Sequence, residues 1–238
     1  MSPLNRKRVV VIGGTAGIGQ AVAKGAVEEG AEVVVASSSQ VNVDAAAQRI
    51  GAKGEVIDVR DEDSIAAFFD TLPGLDHLVF TAGDWGPDFM TPRPVETIDR
   101  ALVDQRLSVR FFGALLCIKH ARAKLSDTGS VTLTDGVMVH RPIKGQVLTA
   151  AFGGATEHLA RGLAVDMAPI RVNAVCPGLV LTERIAGWPP EMLKQMTANQ
   201  LIQRPAQVEE VAEAYLHLMR AGYTTGQVLI VDGGRLLM

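Results

Sequence analysis

A glycine-rich loop between an apolar run and an amphipathic segment constrains this chain more than any other feature. The run Arg8–Ile12 contains three consecutive valines, which predicts a strand that is buried on both faces. Gly13, Gly17 and Gly19 follow it, and residues 17–29 have the pattern of a helix. Here Gly13 allows a tight turn, Gly17 a close backbone approach, and Gly19 close helix–strand packing. The free N–H groups of the helix N-terminus then predict a phosphate-binding site.

The composition excludes several classes of protein. The chain has 238 residues, of which 47% are hydrophobic, and its formal net charge is −3. A nucleic-acid binder would carry a basic excess, and a membrane protein would carry an apolar run of about 18 residues, which this sequence lacks. Because Cys117 and Cys176 have neither disulfide nor zinc spacing, and the N-terminus has no signal-peptide layout, we expect a cytoplasmic protein without disulfides or a metal site.

Short β-branched runs alternate with longer amphipathic segments. This alternation predicts parallel strands joined by right-handed crossovers, and hence an α/β fold: a doubly wound seven-stranded parallel sheet between two helix layers, the Rossmann fold. With no linker-like tract, we expect one domain over 1–238, with an irregular segment, 179–204, as a lid over the site. The predicted strands are 8–12, 32–36, 54–57, 77–81, 130–134, 170–175 and 227–231, and the predicted helices are 17–29, 44–50, 61–70, one or two within 95–125, and 146–167.

The Gly-x-x-x-Gly-x-Gly spacing of the first loop resembles the short-chain dehydrogenase/reductase family, and segments along almost the whole chain agree. The Asp-Val pair at 58–59 is similar to the family's adenine-contacting pair, and Thr-Ala-Gly at 81–83 to its Asn-Asn-Ala-Gly element. Thr182 falls where the family holds the nicotinamide carboxamide. Three further segments match the family's strand-and-Pro-Gly element and C-terminal signature: 170–178, 224–227 and 231–234.

This resemblance implies a nicotinamide dinucleotide cofactor, a small-molecule substrate and a homodimer or homotetramer. The resemblance implies that helices over 106–125 and 147–167 form the subunit interface, although their apolar faces could instead only cover the sheet. The candidate cofactor-binding residues are Gly13, Thr15, Gly17, Ile18, Gly19, Ser37, Ser38, Asp58, Val59, Ala82, Gly83, Pro177, Gly178, Val180 and Thr182.

The end of the second strand bears on which dinucleotide is bound. NAD-specific sites of this fold place a carboxylate there to bind the ribose hydroxyls. Here residues 36–40 read Ala-Ser-Ser-Ser-Gln, so a 2′-phosphate would meet hydroxyl donors and no like charge. This favours NADP(H) over NAD(H). Because no arginine occupies these positions, a serine-rich turn that accepts either cofactor remains the alternative.

The family's usual chemistry needs a tyrosine as acid/base and a lysine four residues later, and this pair is missing. The chain has two tyrosines, Tyr215 and Tyr223, and neither is followed by lysine at that spacing. Alignment of 159–164 with the family's sixth-helix pattern puts Thr149 at the tyrosine position and Gly153 at the lysine position. The family's serine then falls at position 135 or 136 and its asparagine at position 110. The whole catalytic tetrad is therefore expected to be replaced.

Asp135 and Arg110 are the candidate catalytic residues in this altered site. They could form a structural ion pair, or they could face the substrate. An ionised Asp135 about 4 Å from the oxyanion of a reduced ketone would oppose it by roughly 4 kcal/mol at an effective dielectric constant of about 20, unless the carboxyl stays protonated in an apolar pocket. The same carboxylate would attract an iminium, which accepts a hydride without a proton donor. The chain also resembles a branch of the family, found in fungal alkaloid pathways, that reduces imines without the Tyr/Lys pair.

Two functions therefore remain open. The first is an NADP-dependent oxidoreductase with a non-standard active site that acts on an imine, an iminium or another activated bond. The second is a catalytically inactive dinucleotide-binding sensor or partner-binding protein. His140 could serve as a general acid or be a solvated loop residue, and Arg141 with Lys144 could meet an anionic substrate or solvent. Three aromatic residues could line a substrate pocket or only pack: Trp85, Phe89 and Trp188.

Overall fold

Nine strands are present in the computed structural model, which describes residues 3–83 and 91–238. In chain order they are β1 (Arg8–Ile12), β2 (Glu32–Ser37), β3 (Lys53–Val56), β4 (Leu75–Phe80), β5 (Leu125–Thr134), β6 (Arg171–Pro177), β7 (Val180–Leu181), β8 (Ala206–Gln207) and β9 (Val228–Val231). Seven of them form one parallel sheet in the order β3-β2-β1-β4-β5-β6-β9, while β7 pairs with β8. The predicted doubly wound parallel sheet is confirmed.

Eight α-helices connect and cover these strands in the described part of the chain. They are α1 (Gly17–Glu28), α2 (Gln40–Ile50), α3 (Glu62–Asp70), α4 (Arg100–Leu107), α5 (Ala114–Ala121), α6 (Val147–Asp166), α7 (Pro190–Thr197) and α8 (Val208–Arg220). A π-helical turn, Ser108–Gly113, joins α4 to α5, and short 3-10 turns cover Val95–Thr97, Val137–Val139 and Arg235–Leu237. Within 3–83 and 91–238, none of the helices combines the length and hydropathy that a bilayer-spanning segment requires.

The valine-rich strand β1 contributes side chains to two hydrophobic cores, one on each face of the sheet. Val10 and Ile12 point to one face of the sheet, where they belong to a cluster with Phe68 of α3. Val9 and Val11 point to the other face, where α1, α2 and α8 pack. Because side chains alternate along a strand, an uninterrupted apolar run is buried only if helices cover both faces. The structure confirms this three-layer arrangement.

Helix α8 is the main element that the sequence analysis missed. Its start carries a capping box, in which Gln207 accepts from the backbone of Glu210 and the Glu210 side chain accepts from the backbone of Gln207. Its buried residues, among them Val211, Tyr215 and Leu218, recur at helical spacing. Both signals were available in the sequence. The helix packs against α1 and the sheet and fixes Tyr215 beneath the end of β5.

The segment 179–204, predicted to be an irregular lid, contains regular structure. It includes β7 and α7, and α7 begins with Pro190 in its first turn. Proline is favoured there because the first helical N–H groups have no intrahelical acceptor. Whether the segment moves as a lid stays a prediction.

Candidate functional site

A cavity of about 900 Å³ opens beyond the carboxyl ends of the parallel strands. All but one of the predicted cofactor-binding residues line it: Gly13, Gly17, Ile18, Gly19, Ser37, Ser38, Asp58, Val59, Ala82, Gly83, Pro177, Gly178, Val180 and Thr182. Thr15 is not part of this lining, and its carbonyl accepts a hydrogen bond from Gln20 Nε2 at 3.2 Å. The strand-end motifs therefore come together at one place, as expected for a doubly wound sheet.

The glycine loop is packed backbone against backbone. Gly13 has φ +84°, and a Cβ added there would lie 2.6 Å from the backbone N of Ala82. A Cβ on Gly19 would overlap the carbonyl oxygen of Gly13 and the hydroxyl of Thr81. Only hydrogen fits at these two positions without backbone movement, so the loop stays close to the ends of β1 and β4. At these two positions the loop therefore borders the cavity with backbone atoms alone.

A carboxylate already lies at the N-terminus of α1. The backbone N–H of Gly17 donates to Glu183 Oε2 at 3.0 Å. Free N–H groups and the positive end of the helix dipole favour an anionic oxygen at this point. The sequence analysis did not single out Glu183, because the contact joins residues 166 positions apart. The loop therefore accepts an oxyanion in the place where the family resemblance puts a phosphate.

Arg60 adds a cation to the cavity near the serine-rich turn. It lines the cavity with Ser37, Ser38 and Asp58, and its Nη2 lies 2.7 Å from Asp58 Oδ2. The guanidinium hydrogen bonds hold the pKa of Asp58 below its ordinary value. Arg60 was not predicted as a cofactor contact, because it follows β3, which lies beside β2 in the sheet.

Asp135 and Arg110 line the same cavity but do not form the ion pair that was one expectation. Asp135 follows β5 and is 4% exposed, and Arg110 lies in the π-helical turn. Among the described residues no backbone N–H, guanidinium or ammonium group donates to either carboxylate oxygen of Asp135. Local π-helical geometry often accompanies functional sites, and it is not recognisable from residue spacing alone.

The surroundings of Asp135 favour its neutral form. Burial, together with a hydrogen bond and the like charge of Glu157, raises the pKa of Asp135 to about 8. These surroundings favour the protonated alternative for Asp135 over the ionised carboxylate. A like charge at hydrogen-bond distance stabilises the acid form, since two carboxylates that touch cannot both ionise cheaply.

A side chain at position 153, where the resemblance puts the family's lysine, would press against Val139. A Cβ on Gly153 would overlap Val139 Cγ2 and lie 3.8 Å from the Cβ of Asp135. Thr149 instead lies in a smaller pocket with Arg110 and Asp135, and its hydroxyl donates to Gln146 Oε1 at 3.0 Å. Of the described residues that line the main cavity, none is tyrosine or lysine.

Neither tyrosine is among the residues that line the cavity. Tyr215 is fully buried, with its hydroxyl 2.7 Å from Thr134 Oγ1, and burial raises the pKa of its phenol. Tyr223 is fully exposed. Because its phenol is buried and hydrogen-bonded to Thr134, Tyr215 has a structural role.

The remaining candidates divide between the cavity and other surfaces. His140 is not a purely solvated loop residue, because its Nε2 lies 2.6 Å from Glu157 Oε1. Arg141 and Trp188 line the cavity. Lys144 is exposed and is not among the lining residues. Two of the three aromatic candidates, Trp85 and Phe89, lie outside the described residues.

Comparisons with known proteins place the chain among its relatives. A family model described as "Enoyl-(Acyl carrier protein) reductase" matches residues 13–235. The "Short-chain dehydrogenase/reductase ucsE" of Acremonium sp is 38% identical over 98% of this chain and 97% of its own length. The chain belongs to the short-chain dehydrogenase/reductase family. By this relationship it is an oxidoreductase.

Two solved structures of this family are similar over nearly the whole chain. The "MalC Reductase/Diels-Alderase" of Malbranchea aurantiaca has a TM-score of 0.92 and 32% identity, and the match covers 100% of this chain and 99% of that one. A small-chain dehydrogenase solved in complex with NADPH has a TM-score of 0.83 and 32% identity, with coverage of 98% and 100%.

The raised pKa of Asp135 predicts a pH-dependent stability. The ordinary value is 3.8 and the folded value is about 8, so the folded chain binds more protons between these limits. The free energy of unfolding should therefore fall as the pH rises from about 4 to about 8, by at most about 1.4 kcal/mol per pH unit from this group. Chemical denaturation at several pH values measures the slope. Asp135→Asn should flatten the slope of unfolding free energy against pH. Asp70→Asn, at an exposed position, is the control and should leave the slope unchanged. An equal slope in wild type and Asp135→Asn would contradict the assignment.

Proposed function

We propose that this short-chain oxidoreductase is an NADP(H)-dependent reductase of an imine, with Asp135 as the proton donor. The observation that carries the proposal is the buried Asp135 carboxyl, which lines the cavity where the family's phenol is missing and whose pKa is raised by burial and by Glu157. A carboxyl kept neutral by an apolar site and a like charge is a known way to obtain a general acid.

The site fits a nicotinamide dinucleotide. The glycine cradle leaves backbone N–H groups at the N-terminus of α1 for the phosphates, and the Gly17–Glu183 hydrogen bond supports anion binding there. Asp58 would hold the adenine end and Thr182 the carboxamide end. When bound, the reduced cofactor supplies a hydride. The relative solved with NADPH supports the same cofactor class.

Ser37, Ser38 and Arg60 support NADP(H) over NAD(H). Hydroxyl donors and a guanidinium lie together in the cavity lining, and a 2′-phosphate gains from both. We expect Ser38→Asp to weaken NADPH binding by about 10-fold, because a carboxylate would face the phosphate. NADH binding by the same variant is the control and should stay equal or tighten. Equal loss for both cofactors in a fluorescence titration would contradict the preference.

Glu183 should compete with the cofactor phosphates. Its carboxylate occupies the α1 N-terminus, so a bound pyrophosphate would have to displace it or face its charge. Glu183→Gln is expected to tighten NADPH binding by about two- to five-fold, the usual scale of a charge at a helix end. Glu191→Gln, at an exposed carboxylate of α7, is the matched control. Weaker binding by Glu183→Gln would mean that Glu183 contacts the cofactor favourably.

The chemistry of the site suits a C=N bond. Protonated Asp135 can transfer its proton to an imine nitrogen, which leaves a carboxylate next to a cationic iminium. At about 4 Å and an effective dielectric constant of about 20 this pair gains roughly 4 kcal/mol. One proton then goes to nitrogen and one hydride to carbon, which gives the amine. A ketone oxygen would take the same proton and end as a neutral alcohol, so no cation forms beside the new carboxylate and the ketone lacks this ion-pair gain.

Arg110 and the apolar lining would orient the substrate. The guanidinium offers several N–H donors to a carbonyl or carboxylate of the substrate and can stabilise Asp135 once it has lost its proton. Apolar side chains complete this end of the cavity: Val109, Val137, Met138, Ile143, Ile185 and Trp188. An apolar cyclic imine with at least one oxygen acceptor fits this lining.

A matched substrate panel tests the proposal. The protein is incubated with NADPH and either a cyclic imine, the ketone of the same carbon skeleton or the matching enone, and NADPH absorbance is followed. We expect oxidation of NADPH with the imine, and a rate with the ketone about 100-fold lower or less. A ketone rate equal to the imine rate would overturn the proposal. Tight NADPH binding without turnover across the panel would instead support the dinucleotide-binding sensor.

The family resemblance also supports a homodimer or homotetramer. The α5 and α6 region leaves large apolar side chains exposed, among them Phe112, Val147 and Val165. These are the helices expected to form the subunit interface. Sedimentation equilibrium measures the number of subunits, and a monomer at micromolar concentration would contradict this part of the proposal.

A further inference from the structure

A second carboxyl lies behind Asp135 and connects it to the surface. Glu157 is on α6, and its side chain is 4% exposed. Asp135 packs next to Gly153 of the same helix, and Glu157 follows one turn later on the same face. Glu157 lies near enough to Asp135 to raise the pKa of that carboxyl. On its other side, Glu157 Oε1 lies 2.6 Å from Nε2 of His140, whose side chain is 34% exposed.

We propose that Glu157 and His140 return a proton from solvent to Asp135 after each turnover, with Glu157 as the positioning residue that also keeps Asp135 protonated. The inference rests on the proposed imine reduction, because Asp135 must be reprotonated only if it donates its proton to the substrate. It assigns a use to a buried carboxyl whose ion partners are His140 Nε2 at 2.6 Å and Arg161 Nη2 at 3.8 Å, a placement that costs solvation free energy and that packing alone does not require.

The proton transfers balance without any further reactant. Asp135 gives its proton to the imine nitrogen and becomes a carboxylate. Protonated His140 gives its Nε2 proton to Glu157, and Glu157 gives one proton to Asp135. Neutral His140 then takes a proton from water. The net result is one proton moved from solvent to the substrate nitrogen, and every side chain returns to its starting state.

His140, Glu157 and Cys176 have the residue types of a metal site. Ligand atoms of His140, Glu157 and Cys176 all lie within 4.8 Å of one another. However, two ligands of one tetrahedral zinc are separated by about 3.3 Å, which follows from bond lengths near 2.0 Å. The 2.6 Å between His140 Nε2 and Glu157 Oε1 is a direct ion-pair distance, at which the ring N–H is not aligned with that oxygen as a hydrogen bond requires. The observed spacing therefore favours proton exchange over metal binding.

Other ionisable groups around Asp135 belong to the elements packed against it. Burial raises the pKa of the Cys176 thiol, as do the charges of Asp135, Glu157 and Asp232, so this thiol is neutral. The ionisable and charged groups that face the site are Glu157 and Arg161 on α6, Cys176 on β6, Tyr215 on α8, Arg110 on the π-helical turn, His140 after β5, and Asp232 after β9. Among them Glu157 is the group whose carboxyl raises the pKa of Asp135.

Infrared titration tests the role of Glu157 without turnover. The carbonyl stretch of protonated Asp135 is identified as the band that Asp135→Asn removes, and its amplitude is followed with pH. Glu157→Gln should lower the titration midpoint by at least about one pH unit, because the like charge is gone and an amide donor replaces it. Glu157→Asp should restore most of the midpoint. An unchanged midpoint in folded Glu157→Gln, checked by thermal unfolding, would overturn the inference.

Chemical rescue tests the role of His140. His140→Ala should lower kcat for the imine about 10-fold or more without a comparable change in the KM for NADPH, and added imidazole should restore the rate. His158→Ala is the matched control, since His158 is an exposed histidine on α6 that bonds to the Gly154 carbonyl. Loss without rescue, no loss at all, or zinc bound by the purified protein would overturn the relay. If wild type turns over no imine, the proposed function fails, and the infrared midpoints still decide the inference about Glu157.

Discussion

Replacing Asp135 by asparagine is expected to lower kcat/KM for the cyclic imine by about 10²–10⁴-fold, the usual contribution of a general acid. The substitution keeps the shape of a buried side chain that is 4% exposed, but the amide cannot transfer a proton to the substrate nitrogen. Steady-state kinetics measures the loss, and direct titration with NADPH should show an affinity within about two-fold of wild type.

A substrate that is already cationic separates proton donation from electrostatic attraction. An N-methylated iminium with the same ring needs no proton, so Asp135→Asn should reduce it with a much smaller loss than the neutral imine. A loss of equal size for both substrates would mean that Asp135 acts only as a negative charge. Unchanged rates for both would remove Asp135 from the mechanism.

Replacing Gly19 by alanine is expected to weaken NADPH binding by at least about 10-fold and to lower the free energy of unfolding by about 1–3 kcal/mol. The added methyl group would overlap the Gly13 carbonyl and the Thr81 hydroxyl, so the loop would have to move away from β4. The displaced loop could no longer present its N–H groups to the phosphates. Isothermal titration with NADPH and urea denaturation measure the two effects.

Gly162→Ala provides the matched control, since Gly162 is also a helical glycine. Among the described residues, no atom outside the neighbouring helix backbone lies within 4 Å of a Cβ added there. Alanine restricts the unfolded chain and is a better helix former, so the free energy of unfolding should rise by about 0.5–1 kcal/mol and NADPH binding should not change. Equal cofactor affinity in Gly19→Ala and Gly162→Ala would contradict the assignment of the loop as the phosphate site.

The parts of the molecule that were predicted from the sequence are those encoded locally. The valine run of β1 and the glycines after it carry their own pattern, because the residues that determine each strand end are neighbours in the chain. For this reason nearly all predicted cofactor residues lie in one cavity. Helix α8 was also locally encoded by its capping box and apolar spacing, and it was missed although the signal was present.

The parts that were not predicted depend on contacts between distant residues. Glu183 reaches Gly17 across 166 positions, and Arg60 enters the cavity because β3 lies beside β2. Glu157 meets Asp135 only because α6 packs on the end of β5, at a position where Gly153 leaves space. No residue spacing indicates that this pair would share a proton, and so the charge of Asp135 could not be assigned from the sequence.

Transfer of deuterium from NADPH to the substrate tests the central claim most directly. The protein is mixed with NADPH that carries deuterium in place of both C4 hydrogens, together with the cyclic imine, in a single turnover, and the amine is examined by mass spectrometry and NMR. The account predicts one deuterium on the former imine carbon, with the nitrogen proton drawn from solvent and the transfer slowed by Asp135→Asn. An amine without deuterium, or cofactor that binds tightly while the imine remains unreduced, would contradict it.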